Sequence, residues 1–271
     1  MKILNISKTI GLSFVCAALF VGIALLMRNS TKVSPAPDTL VIGMMSGWPP
    51  FMSINEQGQY IGFDVDVANL LGKKLGKKVE VKDVGSLATL FLSLEQGKID
   101  MIISGLDVTQ ERKQRLNIIP YAGDDITSEY VIFYKQVPQG IKSLEDLKQT
   151  PGAIVCVEPN STSEKLIDLY PSITKKQLKS MADMVLDVRM DKSTAFIAEP
   201  PVARRLFKKD PDLKFIEIQL PKQLCIYGYG IAVKKENIAL ATTVARVIGE
   251  MRTSGELNIL EKKWDLKGEA S

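Results

Sequence analysis

The sequence predicts an α/β protein of two lobes, each a mostly parallel sheet flanked by helices. Three observations carry this. Apolar strands alternate with helical spacings from Thr39 to Ile103, a second alternation follows Tyr121, and no long repeat or low-complexity tract interrupts either. Strand, helix and strand in succession imply right-handed βαβ units. A chain of 271 residues also has room for two lobes of roughly 100 residues each.

Taken in order, Thr39–Ile42 is a short apolar strand ending at Gly43, and its following loop carries Trp48-Pro49-Pro50-Phe51. Asn55–Gly58 is a turn. Asp64–Leu75 places Val67, Leu70, Leu71 and Leu75 at helical spacing, with Gly76 positioned to stop the helix. Val79–Val81 alternates as a strand does, Leu87–Gln96 is a second apolar helix closed by Gly97, and Ile99–Ile103 is a buried strand. In the second half, Glu129–Tyr134 reads as a strand and Ser143–Asp146 as a capping box. Ala153–Val157 is a strand, and Asn160–Ser163 opens a helix. Met184–Met190 is helical, Ala195–Ala198 a buried strand, Pro201–Phe207 helical and Tyr229–Val233 a strand. Ile238, Ala241, Ala245, Ile248 and Met251 form one face of a last helix that stops at Ser254-Gly255.

Composition excludes several functions. Lys2, Lys8, Arg28 and Lys32 lie in the first 36 residues, which hold no acid; the rest carries 31 basic and 31 acidic residues. A neutral domain has no surplus charge for phosphates, so no nucleic-acid partner is expected. Histidine is absent, which removes Ser-His-Asp and Cys-His catalysis and the commonest transition-metal ligand. Beyond Cys16, only Cys156 and Cys225 remain. They are too few and too separated for a zinc cluster, and are either buried thiols or a disulfide. No metal, cofactor or catalytic residue is expected.

Ile10–Met27 is an uncharged run of 18 residues preceded by Lys2 and Lys8. This has the form of an export signal, and it is also just long enough to remain as a membrane anchor. Ser30–Pro37 then reads as a tether. Residues 1–36 are therefore set apart, and the protein is expected in the periplasm or on the outer face of a membrane.

The stretch Ser104–Arg112 is the most informative. A strand ends on Ser104-Gly105 and an arginine follows eight residues after the serine. Open α/β sheets bind ligands at the C-terminal edges of their strands, and a guanidinium there suits a carboxylate.

QYIGFDVDVA at Gln59–Ala68, GKIDMIISG at Gly97–Gly105, TQER at Thr109–Arg112, YGIAVK at Tyr229–Lys234 and the ending Ser254–Trp264 carry a family resemblance. In this order they resemble the extracytoplasmic solute-binding proteins for polar amino acids, family 3, arginine-binding type, over roughly Thr39–Asp265. The resemblance implies the two-lobed type II periplasmic-binding-protein fold with two crossover hinge strands. Residues 38–126 and 229–266 would form one lobe, and 127–228 the other. It implies hinge closure around an amino acid and delivery to the permease subunits of an ABC importer, by a monomer without enzymatic activity.

By position in the family pattern, Arg112 would clamp the α-carboxylate, helped by groups around Ser104 and Gly105 and, from the second lobe, by Thr162 and its neighbour Ser161. Glu199 would take the α-ammonium, and Trp48 would cover the ligand side chain. Asp107 and Glu158 stand where the family more often has neutral residues, leaving Arg112 against three acids. That excess favours arginine, then lysine or ornithine. Leu87 stands where basic-amino-acid binders often carry an aromatic, which argues the other way. The alternatives are a dehydratase-like cleft enzyme on the same fold and the binding subunit of a sensor.

Overall fold

The computed structural model describes residues 38–266; the expected export segment Ile10–Met27, the tether and Cys16 lie outside them. Two five-stranded sheets dominate. The first contains β1 (Thr39–Met44), β4 (Lys78–Asp83), β5 (Met101–Ile102), β6 (Leu116–Ile126) and β12 (Ile226–Lys234), in the order β4-β1-β5-β12-β6. The second contains β7 (Ser128–Tyr134), β8 (Ile154–Val157), β9 (Thr174–Gln177), β10 (Ala195–Ala198) and β11 (Leu213–Gln219), in the order β11-β7-β10-β8-β9. We call these the first and second lobes.

Each sheet holds three parallel strands, β4-β1-β5 and β9-β8-β10, built by the same βαβαβ path. The helices are α1 (Phe63–Leu75) and α2 (Leu87–Glu95) in the first lobe, and α5 (Thr162–Ile167) and α6 (Met181–Arg189) in the second. The antiparallel members are the strands that pass between the sheets: β6 runs on into β7, and β11 returns to β12. Short helices α3 (Gln110–Arg115) and α4 (Leu144–Lys148), then α7 (Pro200–Lys209), α8 (Ile238–Thr253) and α9 (Glu256–Lys263), complete the chain.

The strand β1 shows why the first sheet is covered on both faces. Leu40, Ile42 and Met44 join the main core with Phe63, Val67 and Leu71 of α1 and Val244 and Ile248 of α8. Val41 faces the other way, onto Leu90 and Leu94 of α2. A parallel strand buried on both sides needs apolar residues at both parities, and each buried leucine contributes about 1.5–3 kcal/mol.

Several elements differ from the sequence pattern. α6 starts at Met181, three residues before expected, because the Ser180 hydroxyl accepts the Asp183 N–H at 3.1 Å and caps it. On α8 the buried stripe is Ala241, Val244, Val247, Ile248 and Met251; Ile238 and Ala245 are exposed. β6 contains Pro120, and β9 is the wholly polar Thr-Lys-Lys-Gln, so neither has a recognisable alternation. Cys156 is a buried free thiol in β8, and Cys225 is a half-buried free thiol before β12.

The turn at Asn55–Gly58 joins a small hairpin, β2 (Ser53–Ile54) and β3 (Tyr60–Ile61). The hairpin delivers the Trp48 loop to the start of α1. That helix has no side-chain cap; its Phe63 and Asp64 N–H groups donate to the carbonyls of Pro50 and Phe51 at 2.9 and 3.1 Å. Gly62 permits this approach, with φ 145° and a Cβ position 2.0 Å from the Phe51 carbonyl oxygen. Gly62→Ala should therefore lower unfolding stability by roughly 1–3 kcal/mol, measured by urea denaturation; an unchanged midpoint would show that the contact can relax freely.

Candidate functional site

Both sheets carry a topological switch point, between β1 and β5 and between β8 and β10, where crossovers leave in opposite directions. Such points leave a crevice at the C-terminal strand ends. Here the two crevices face one another. Met45 and Trp48 follow β1, Ser104 to Asp107 follow β5, Glu158 follows β8 and Glu199 follows β10. Between them lies a cavity of about 40 Å³ lined by Trp48, Leu87, Ser104, Gly105, Asp107, Arg112, Glu158 and Glu199, together with Met45, Phe51, Leu106 and Val202. Beside it, an open groove of about 850 Å³ passes Phe91, Arg115 and Lys165 and reaches the outer side of Arg112.

Arg112 is positioned from its own first turn. Thr109 caps α3 by accepting the Arg112 N–H at 3.2 Å, and the side chain turns inward to 8% exposure. Its Nη1 group donates to the Asp107 carbonyl at 3.0 Å and lies 3.4 Å from Asp107 Oδ2. Its Nη2 group donates to the Asn160 carbonyl of the second lobe at 3.3 Å, and the Phe91 ring centroid lies 5.7 Å from the guanidinium carbon. Asp107 Oδ2 also accepts the Thr162 hydroxyl at 2.8 Å, while Oδ1 is buried without a hydrogen bond. Asp107 thus anchors Arg112 and bridges to the second lobe through Oδ2, while it also lines the cavity. Glu111 and Lys165 form a further ion pair across the rim.

The acids of the second lobe are differently placed. Glu199 occupies the N-cap of α7, but Pro200 and Pro201 follow it and the carboxyl makes no capping bond. With no N–H at these positions to accept, it turns instead to Tyr229, whose hydroxyl donates to Oε2 at 2.5 Å. Desolvation, then the charge of Asp107, holds Glu199 well above the usual carboxylate range despite the Tyr229 bond; Glu129 and Glu158 add to this. Desolvation also pushes Glu158 up to about 8, with Asp107 adding and Arg112 opposing.

Of the other expected residues, Ser161 caps α5, accepting the Glu164 N–H at 3.0 Å and donating to the Glu158 carbonyl at 2.7 Å. Its side chain is not brought to the cavity, and Thr162 meets the site through Asp107. The Ser104 hydroxyl accepts the Met45 N–H at 3.1 Å, and the Gly105 N–H donates to Asp64 Oδ2 at 2.6 Å. Gly105 has φ +54°, and a Cβ there would sit 2.6 Å from the Phe51 ring. The indole N–H of Trp48 is buried with no partner.

Four contributing residues escaped the sequence reading: Asp64, Phe91, Glu129 and Tyr229. Asp64 read as a first-turn helix acid, yet it is fully buried, holding the Ser104-Gly105 loop and the Tyr121 hydroxyl. Phe91 read as one more apolar residue of α2, and Tyr229 as strand core. No group of three or more metal-ligating side chains occurs among the described residues.

The profile of the bacterial extracellular solute-binding proteins, family 3, matches residues 40–267. A probable ABC transporter arginine-binding protein, ArtJ, from Chlamydia trachomatis is 29% identical over 84% of this chain and 86% of its own. The arginine-binding extracellular protein ArtP of Bacillus subtilis is 32% identical over 83% of this chain and 85% of its own. Among solved structures, an ancestral arginine-binding protein bound to arginine superposes with a TM-score of 0.74, at 30% identity, over 84% of this chain and 98% of that one.

Burial of Asp64 makes a measurable demand. Desolvation raises its carboxyl from 3.8 to about 7, against the opposing pull of the Tyr121 and Gly105 hydrogen bonds. A raised folded-state value gives a contribution that is complete below 3.8 and lost as pH rises through about 7. The stability of the protein relative to Asp64→Asn should fall across that window by up to about 1.4 kcal/mol per pH unit. Urea titrations at several pH values check this, and parallel curves would exclude it.

Proposed function

The chain belongs to the bacterial extracellular solute-binding proteins, family 3, and from that premise we propose a receptor that closes two lobes around a basic amino acid, arginine first, and delivers it to an ABC importer. The observation that carries the reading is the division of ionisable groups across the cleft. The first lobe presents one buried guanidinium, Arg112, and the second presents two enclosed carboxyl groups, Glu158 and Glu199. A zwitterion taken out of water needs a fixed partner of each sign, or its desolvation is not offset. A second cation on the ligand engages the remaining acid.

Opening explains access. Asn160 and Thr162 stand on the second lobe, whereas Arg112 and Asp107 stand on the first. Separating the lobes releases the Arg112 donor from the Asn160 carbonyl and exposes it to an incoming α-carboxylate, while Asp107 keeps the guanidinium aimed. Glu199 then receives the α-ammonium, Glu158 the side-chain cation, and Trp48 with Leu87 covers the methylene chain. Residues 38–126 with 229–266, and 127–228, are the two moving bodies. The protein works as a monomer, binds lysine and ornithine after arginine, catalyses no reaction, and stands outside the cytoplasmic membrane. No helix among the described residues is long and apolar enough to cross a membrane.

Titration calorimetry against a panel of amino acids tests this. Arginine should bind more tightly than about 100 µM, roughly 5.5 kcal/mol; failure of every basic amino acid to do so sinks the proposal. Arg112→Ala should cost at least about 100-fold for all ligands, the scale of leaving a charged ligand group unpaired. Glu158→Gln should weaken cationic ligands selectively. Asp107→Asn, because it loosens Arg112, should weaken neutral and cationic ligands alike.

A further inference from the structure

Tyr229 does not line the cavity, but its hydroxyl donates to Glu199, which does. An irregularity in the strands that pass between the sheets directs it there. β12 pairs antiparallel with β6, and the register shifts on both sides of Tyr229, between Tyr227 and Tyr229 and again between Tyr229 and Gly230. Such a bulge re-aims the side chain it contains. The loop after β5 grips the strand at this point. The Gly230 N–H donates to the Leu106 carbonyl at 2.8 Å, the Val108 N–H to the Gly228 carbonyl at 2.9 Å, and the Tyr227 N–H to the Val108 carbonyl at 2.9 Å. The Tyr229 ring is fully buried, edge-on to Phe51 with centroids 4.6 Å apart, and a Cβ at Gly123 would lie 2.7 Å from it. Backbone and ring are both fixed.

The loop that grips Tyr229 also carries Asp107 and leads to Arg112. The tyrosine hydroxyl and the carboxylate anchor therefore sit on one hydrogen-bonded unit of the first lobe. Glu199 belongs to the second lobe, at the end of β10, so its 2.5 Å bond with Tyr229 crosses the cleft. The acid has no local means of fixing its carboxyl, because Pro200 and Pro201 offer no N–H at the start of α7. Burial first, then the neighbouring acids Asp107, Glu129 and Glu158, oppose its carboxylate form, whereas the Tyr229 donor favours it.

From this geometry, and resting on the assignment of the α-ammonium to Glu199 above, we infer that Tyr229 is a positioning residue for that group: by holding Oε2 it turns Oε1 toward the ligand, at a distance from Arg112 set by the loop that grips the tyrosine. Tyr229 acts through Glu199 and makes no contact with the ligand. The consequence is selective. An amino acid gains from the arrangement because it carries an α-carboxylate and an α-ammonium together. The same molecule without its α-amino group presents nothing to Glu199. Loss of the hydroxyl is felt by the first and not by the second.

Tyr229→Phe keeps the ring against Phe51 and Gly123 and removes only the donor. Titration calorimetry with arginine, and displacement of bound arginine by its des-amino analogue, compare the two ligands on wild type and variant. Arginine should weaken roughly tenfold, the scale of one hydrogen bond to a charged group, while the affinity of the analogue stays unchanged. Glu199→Gln should already contain this loss, so that adding Tyr229→Phe to it weakens arginine no further. Unaltered arginine affinity in Tyr229→Phe overturns the inference. So does an equal loss for both ligands, or a further loss of the same size on the Glu199→Gln background, since a purely structural tyrosine gives either. All three leave the receptor function standing. Absence of arginine binding by the wild type overturns that function and this inference with it.

Discussion

The Arg112–Asp107 pair is the constraint around which the cleft is arranged. A guanidinium with 8% exposure is tolerable only with its hydrogen bonds supplied, since removing one partner of a buried pair leaves an uncompensated charge. Asp107 supplies both a carbonyl and a carboxylate, and the Thr162 hydroxyl satisfies the carboxylate from across the cleft. Asn160 takes the last donor described. The same bonds that satisfy the arginine at this depth also join the two lobes, through Asn160 and Thr162, so in the proposed receptor the orientation of Arg112 and the closure of the lobes are one event.

The acids repeat the pattern with opposite consequences. Glu158 and Glu199 follow strands of the second sheet and have no cation of their own. Burial without a cation pushes both up, Glu158 to about 8 and Glu199 well above the usual carboxylate range even with the Tyr229 hydroxyl donating to it. Asp64 behaves in the same way beneath the Ser104-Gly105 loop, where it organises backbone rather than ligand.

Much of this was legible in the sequence where local chemistry decides it. Gly76 ends α1 in the left-handed conformation at φ 63°, Ser143 and Asp146 form their reciprocal cap, and Arg112, Glu158 and Glu199 follow strands whose ends face a cleft. The rest depended on pairings that no window of sequence contains. β9 is a strand only because β8 lies beside it. Glu129 looked like the polar start of a strand until β10 and β11 enclosed it. Ser161 shows the reverse: its position beside Thr162 suggested a ligand contact, but helix capping already uses its hydroxyl in both directions.

The shared strand order of the two sheets has a further consequence. Because β4-β1-β5 and β9-β8-β10 follow the same path, each lobe offers one crevice, and the two differ in character: a guanidinium paired with Asp107 in the first, the carboxyls of Glu158 and Glu199 in the second. In the receptor proposed above, either half alone inspects one end of a molecule. A lone carboxylate satisfies the first and a lone cation the second, and neither gives both lobes a reason to stay together. In the proposed receptor the paired crevices therefore work as a coincidence detector, in which the shut state registers two opposite charges held at a fixed separation within one small molecule.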